Sequence, residues 1–137
     1  MDNVQTSTQL SGIAQVSRID STATANAFID QLKAKYGNLM FHQSGGCCDG
    51  STPMCFAEGD FLLGASDVKL GDVNGVPFYM SESQFAYWEH THLTLDVVPG
   101  LGGQFSLDNG TGTRFHIRSR LYNDDELPLL TPVARCD

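Results

Sequence analysis

The chain has 137 residues, of which 41% are hydrophobic and 18% charged, a composition that fits one globular domain and excludes an intrinsically disordered protein. A net charge of −8 argues against non-specific binding to nucleic acid or to an anionic membrane. No apolar run approaches the ~20 residues of a membrane-spanning helix, and residues 1–12 carry no secretory signal. We therefore expect a cytoplasmic protein whose thiols stay reduced.

The N-terminal third of the chain predicts an arm, a helix and a strand. Residues 1–19 are polar and irregular, which indicates a flexible arm. Apolar side chains recur at helical spacing in residues 22–36, where Ser21 or Thr22 can cap the start of the helix. A short strand is expected over residues 38–43, with side chains that alternate between two faces.

The middle of the chain predicts a hairpin, a second helix and a strand. The hairpin is expected over residues 66–80, because Asn74-Gly75 is a strong signal for a two-residue turn. The helix is expected over residues 81–91, where Ser81 begins a sequence with capping-box spacing. Residues 92–98 alternate leucines with polar side chains, which predicts a strand with one buried face.

The C-terminal part predicts a second hairpin and a tail. Residues 104–108 and 113–122 alternate around DNGTG, and we expect these two strands to pair with each other. Residues 123–137 contain two prolines and predict a frayed tail. The predicted fold is a single α+β domain over residues 20–122, with mostly antiparallel sheets and two packed helices.

Three of the four cysteines lie within nine residues of a glycine-rich segment, and His42 lies just upstream. Thiolates at this density are typical of a zinc or iron–sulfur site, or of a reactive thiol. The spacing matches no zinc-finger pattern. Adjacent cysteines on an extended backbone point in opposite directions, so both can bind one ion only in a bent loop, which the glycines permit. We predict a metal site whose candidate ligands are Cys47, Cys48, Cys55, His42 and His92.

Two other interpretations of the cysteines stay open. Thiol chemistry needs only one cysteine of low pKa, and open loop amides near Cys47 and Cys48 would favour a thiolate. Alternatively, a buried cysteine acts as a small hydrophobic side chain, which suits Cys55 between two apolar neighbours. Cys136 lies in the predicted tail, and we assign it no role.

Polar side chains on the last two strands also allow more than one interpretation. His92 and Asp96 are expected on one face, where a histidine beside a carboxylate can be a metal ligand or a general base. A polar face with satisfied hydrogen bonds is the simpler interpretation. The last strand carries alternating basic side chains, which indicate either an anion or partner site or a solvated face. These are Arg114, His116, Arg118 and Arg120.

The chain resembles a bacterial family known only as domain-of-unknown-function family 779. The resemblance covers residues 22–127 and rests on FHQSGGCCDGSTPMCF at 41–56 and on GVPFYMSESQFAYWEHTHLTLDVVPGLGGQFSLDNGTGTRFHIRSRL at 75–121. Genes for members of this family often lie beside those for aldehyde dehydrogenases. The resemblance therefore implies a link to aldehyde or alcohol oxidation and an aldehyde dehydrogenase as a candidate partner.

A more distant resemblance is to the HesB-like A-type iron–sulfur carriers, and it implies a HesB-like fold. The similar positions are Gly45-Gly46-Cys47, Leu95-Asp96-Val97, Gly103-Gln104-Phe105 and Asp108-Asn109. The match makes Cys47 the counterpart of the carriers' first cluster cysteine. The carriers place a CGC pair soon after the Asn, whereas this chain has GTGTRFHIR, so a metal would depend on Cys48, Cys55 and His42 nearby.

These inferences together predict a small metal- or iron–sulfur-binding accessory protein for aldehyde or alcohol oxidation, not itself a robust enzyme and with a homodimer allowed. Iron and zinc are the expected metals. One alternative is a thiol-dependent enzyme or aldehyde-reactive protein that uses Cys47 or Cys48, with a histidine as base. Another is a regulatory subunit that binds an aldehyde dehydrogenase without metal, in which the cysteines only shape a loop.

Overall fold

Strands dominate the described part of the chain, in which two α-helices accompany them. The computed structural model describes residues 16–43, 53–100, 106–130 and 133–135. The elements in chain order are β1 (Ile19–Ser21), α1 (Ala23–Tyr36), β2 (Leu39–Gln43), β3 (Met54–Ala57), β4 (Asp67–Val73), β5 (Val76–Ser81), α2 (Glu82–Trp88), β6 (Thr91–Pro99), β7 (Thr113–Leu121), a 3₁₀ helix (Leu127–Leu129) and β8 (Ala134–Arg135). The predicted α+β class is confirmed.

Both α-helices begin at the caps that the sequence predicts. The hydroxyl of Thr22 accepts a hydrogen bond from the N–H of Ala25 at 3.1 Å, and the hydroxyl of Ser81 accepts one from the N–H of Gln84 at 3.1 Å. α1 ends at Gly37, whose φ of +82° favours glycine. In the described part of the chain, neither helix has the length and apolar character needed to cross a membrane.

The strands form two sheets of mixed direction. One has the order β1-β6-β7 and the other the order β3-β2-β5-β4-β8. β1 runs parallel to β6, and β2 runs parallel to β5, while the other neighbouring pairs are antiparallel. The predicted turn joins β4 to β5, with φ of 49° at Asn74 and 78° at Gly75.

Within the described residues, the prediction of a second hairpin is wrong. β7 pairs along its whole length with β6, from Thr113 opposite Pro99 to Leu121 opposite Thr91, and not with residues 106–108. Those residues lie outside any strand, and residues 104 and 105 are outside the described ranges. β6 and β7 are each nine residues long, and their pairing puts the apolar side chains of both strands opposite each other. A partner of three to five residues would leave part of β7 unpaired.

The ends of the described chain contact the domain. The N–H of Val16 donates to the carbonyl of Leu129 at 2.7 Å, and β1 lies in a sheet beside β6. At the other end, β8 pairs with β4. Residues 16–19 of the predicted arm and residues 127–135 of the predicted tail therefore contribute to the fold, apart from residues 131 and 132, which the structure does not describe. Cys136 also lies outside the described residues.

An aromatic cluster joins the two sheets to α1. The ring of Phe115 on β7 lies 4.8 Å from that of Phe41 on β2, edge to face, and 5.2 Å from that of Phe28 on α1. Phe41 also stacks on Phe78 of β5 at 5.7 Å. Phe41, Phe78 and Phe115 are fully buried. Because each buried ring contributes about 2–3 kcal/mol, this cluster fixes how the two sheets face each other.

Replacing Gly75 by alanine is expected to lower the free energy of unfolding by about 1–2 kcal/mol, because φ there is +78° and a Cβ disfavours that conformation. Gly64→Ala is the matched control, since φ at Gly64 is not positive and an added Cβ meets no described atom within 4 Å. Urea denaturation measures both changes. Equal losses in the two variants would contradict the left-handed turn.

Candidate functional site

The register between β2 and β3 separates two of the predicted ligands. Phe41 pairs with Cys55, and His42 pairs with Met54. Successive side chains of a strand point to opposite faces, so Cys55 shares the inner face with Phe41 while His42 shares the outer face with Met54. In this arrangement Cys55 and His42 cannot bind the same ion.

Cys55 is a fully buried side chain of the core. Burial, with a smaller effect of the Asp108 carboxylate, raises the pKa of its thiol to about 12. The thiol is therefore protonated at neutral pH, and a protonated thiol is a poor nucleophile. This position agrees with the interpretation of Cys55 as a small hydrophobic side chain and leaves a ligand role for it without support.

A buried polar cluster holds the chain next to Cys55. The N–H of Cys55 donates to the hydroxyl of Ser106 at 2.8 Å, and the N–H of Leu107 donates to the carbonyl of Cys55 at 2.9 Å. The hydroxyl of Ser106 in turn donates to Asp108, whose other carboxylate oxygen accepts from the N–H of Phe115 at 3.0 Å. The fully buried carboxylate thus binds the 106–108 segment to both β3 and β7.

His42 forms a buried pair with Asp67 on the outer face of the five-stranded sheet. The Nε2 atom of His42 lies 2.9 Å from Oδ1 of Asp67, and the two side chains are 4% and 13% exposed. The imidazole also stacks on Phe61, with ring centroids 4.4 Å apart. This geometry fixes the orientation of the ring, as a carboxylate does for histidines that bind metals or act as bases.

The carboxylate of this pair is held in its charged form. Burial by itself would raise the pKa of Asp67, but hydrogen bonds from the N–H of Gly64, at 2.9 Å, and from His42 outweigh it and lower that pKa. Asp67 is therefore ionised at neutral pH.

His92 lies on the other sheet and has a different partner. Its Nε2 atom is 2.7 Å from Oδ2 of Asp20. The predicted polar face is confirmed, because Leu93 and Leu95 are buried on the opposite side of β6. The sheet pairing does not bring His92 to His42 or Cys55. Within residues 16–43, 53–100, 106–130 and 133–135, no three His, Cys, Asp or Glu side chains form a group that could hold a metal ion.

Two of the arginines on β7 neutralise carboxylates of their own chain. Arg118 Nε lies 3.0 Å from Asp96 Oδ2, and Arg120 binds both carboxylate oxygens of Glu126, at 2.8 and 2.9 Å. Burial opposes ionisation of Asp96, but hydrogen bonds from the N–H of Val97 and from two side chains lower its pKa. These pairs favour the interpretation of this face as a solvated polar surface.

No pattern in the sequence indicated the two carboxylates that pair with the histidines. Asp67 alternates with the buried Val68 on β4, which places it on the outer face, but β5 lies between β4 and the strand of His42. Asp20 belongs to β1, which reaches His92 only through the pairing of β1 with β6. Both contacts depend on sheet order, and spacing along the chain does not reveal sheet order.

The fold and the site define a small α+β domain in which the buried His42 pairs with Asp67. His42 precedes a segment with two cysteines, Cys47 and Cys48, that lie outside the described residues. Residues 28–121 match the family described as "Domain of unknown function (DUF779)". Because this match covers more than half of the chain, the protein belongs to that family. No curated protein matches the sequence.

Iodoacetamide is expected to modify Cys55 in the native protein at least about a hundredfold more slowly than in the urea-unfolded chain. Because the pKa of Cys55 is near 12 and not 9.0, the fraction of this thiol that is ionised at neutral pH falls by a factor on the order of a thousand. Mass spectrometry of the peptide that carries Cys55, before and after unfolding, gives both rates. Similar rates in the two states would show that the thiol is exposed.

Proposed function

We propose that the protein is a small metal- or iron–sulfur-binding accessory protein whose ligands are Cys47, Cys48 and His42. The observation that carries this proposal is the buried pair of His42 and Asp67 at the end of the strand that precedes the cysteines. Histidines that bind metals commonly contact a carboxylate through one ring nitrogen and the metal through the other. Asp67 supplies that carboxylate in its ionised form.

The short stretch of chain between His42 and Cys47 is compatible with the same set of ligands. Cys47 follows His42 by five residues, and five residues of extended chain span at most about 18 Å. A connection of this length allows both thiolates to reach an ion bound at the imidazole. Two thiolates and one imidazole suit zinc or an iron–sulfur centre, and a fourth ligand could come from a substrate, water or a partner.

The proposed ligand set is smaller than the set that the sequence predicts. Cys55 is left out because its side chain is buried in the core, on the face of β2 and β3 opposite to His42. His92 is left out because it belongs to the three-stranded sheet and pairs with Asp20. A role in aldehyde or alcohol oxidation, with an aldehyde dehydrogenase as partner, rests on the family resemblance, and the HesB-like link stays a prediction.

Removing Cys47 and Cys48 is expected to abolish metal binding, whereas removing Cys55 is not. Protein purified without oxygen should contain about one equivalent of metal, and the double variant Cys47→Ser/Cys48→Ser should contain less than a tenth of that amount. Cys55→Ala is the matched control, with a full metal content and a loss of about 1–2 kcal/mol in the free energy of unfolding. Elemental analysis and urea denaturation measure these quantities.

One substitution tests whether Asp67 orients the imidazole of His42 without itself binding the metal. Asp67→Asn keeps the size of the side chain but removes its charge, so the affinity for zinc should fall about 10- to 100-fold while binding is retained. Competition with a coloured chelator gives the affinity. The metal proposal fails if zinc, iron and copper are all sub-stoichiometric in the wild type and chelators leave its stability unchanged.

The same histidine–carboxylate pair supports a second function, which is thiol chemistry. An imidazole held by a carboxylate can take the proton of a cysteine, which then attacks a carbonyl carbon. Under this alternative, either Cys47 or Cys48 reacts rapidly with iodoacetamide at pH 7, and Asp67→Asn slows that reaction at least about tenfold. Mass spectrometry identifies the modified residue. Slow, uniform modification of both cysteines would remove this alternative.

A further inference from the structure

An apolar groove lies on the outer face of the five-stranded sheet, at the edge formed by β3. Met54 and Phe56 point outward because Cys55, between them, points into the core. Phe61, from the connection between β3 and β4, packs beside Phe56 with ring centroids 5.0 Å apart. Leu107, whose N–H donates to the carbonyl of Cys55 on β3, completes a groove of about 650 Å³.

The walls of this groove are apolar but not enclosed. Met54, Phe56, Phe61 and Leu107 are each only half-buried, in contrast to the fully buried aromatic cluster of the core. The volume falls within the ~300–1,000 Å³ that is typical of sites for small molecules. A ligand with a ring-sized apolar body would remove this surface from water, which is the main source of affinity in such sites.

Charge at the rim of the groove discriminates among such ligands. Of the described residues that line the groove, Asp60 alone is charged. Its N–H donates to the carbonyl of Ala57 at 3.0 Å, which fixes the turn, and no described cation forms an ion pair with its exposed carboxylate. With a net charge of −8 on the whole chain, the potential at the rim favours cations and repels anions.

From these features we propose that the groove binds a small organic cation, an arylalkyl- or alkylamine, with its apolar body between Met54, Phe56 and Phe61 and its ammonium group at Asp60. The aromatic faces favour the body of such a ligand, and the carboxylate favours its charged end. This site uses neither a metal nor the cysteines, although Phe61 also stacks on His42, a ligand of the metal site proposed above.

Three ligands of one size and different charge test this site: benzylamine, benzyl alcohol and benzoate. In ¹H–¹⁵N spectra of the full chain, benzylamine should give saturable shifts of the amides of Phe56 and Phe61 at concentrations of about 10 mM or less. The exposed carboxylate of Asp60 should attract the ammonium group of benzylamine and repel the carboxylate of benzoate, each by a modest amount. Benzylamine should therefore bind about fivefold more tightly than benzoate. Benzyl alcohol should lie between them.

Two matched pairs of variants assign the binding to the groove. Asp60→Asn should make the three affinities equal, whereas Asp125→Asn, which removes the same charge beyond the far end of β7, should keep the fivefold preference. Phe61→Ala should weaken all three ligands at least about fivefold, whereas Tyr87→Ala, which removes a 69% exposed ring on α2, should not.

The proposal is overturned if benzylamine gives no saturable shifts, if benzoate binds as tightly as benzylamine, or if Asp60→Asn leaves their ratio unchanged. The exposed side chain of Asp60 can be changed without loss of folding, so its variant remains informative even where Phe61→Ala unfolds. Cys47→Ser/Cys48→Ser should bind benzylamine like the wild type, which separates this test from that of the metal site.

Discussion

The pairing of Phe41 with Cys55, and of His42 with Met54, decides which chemistry each face of the five-stranded sheet can support. A shift of this register by one residue would bring His42 into the core and turn Phe41 out. The contacts of Phe41 with Phe78 and Phe115, in two different sheets, oppose such a shift. The packing of the core therefore holds the imidazole on the outer face.

The two histidine–carboxylate pairs of the domain lie in different surroundings. The pair of His92 and Asp20 belongs to a polar face whose neighbouring arginines also bind carboxylates, and Asp20 is 63% exposed. The pair of His42 and Asp67 is mostly buried and lies at the start of the chain segment that contains Cys47 and Cys48. The carboxylate of Asp67 is 13% exposed, so water screens its charge less than that of Asp20. This difference favours His42 as the functional histidine.

Caps and turns in the sequence predicted the helices and the first hairpin, whereas the pairing of distant strands brings together the residues of the candidate site. Thr22, Ser81 and the Asn74-Gly75 turn act within a few residues of themselves, and their predicted roles are confirmed. The two apolar neighbours of Cys55 suggested in the sequence that it is buried, but which face of β3 is the core depends on the second sheet. His42 and Asp67 are 25 residues apart, and only the order of β2, β5 and β4 brings them together. The partner of β7 was wrongly predicted for the same reason.

X-ray absorption at the zinc edge of the metal-loaded protein tests the central claim most directly, because it counts the sulfur and nitrogen atoms bound to the ion. With Cys55 held in the core and His42 on the outer face, we predict two sulfur neighbours near 2.3 Å and at least one imidazole nitrogen near 2.0 Å. The spectrum should be the same in Cys55→Ala. A third sulfur neighbour that disappears in Cys55→Ala would contradict the separation of the two faces.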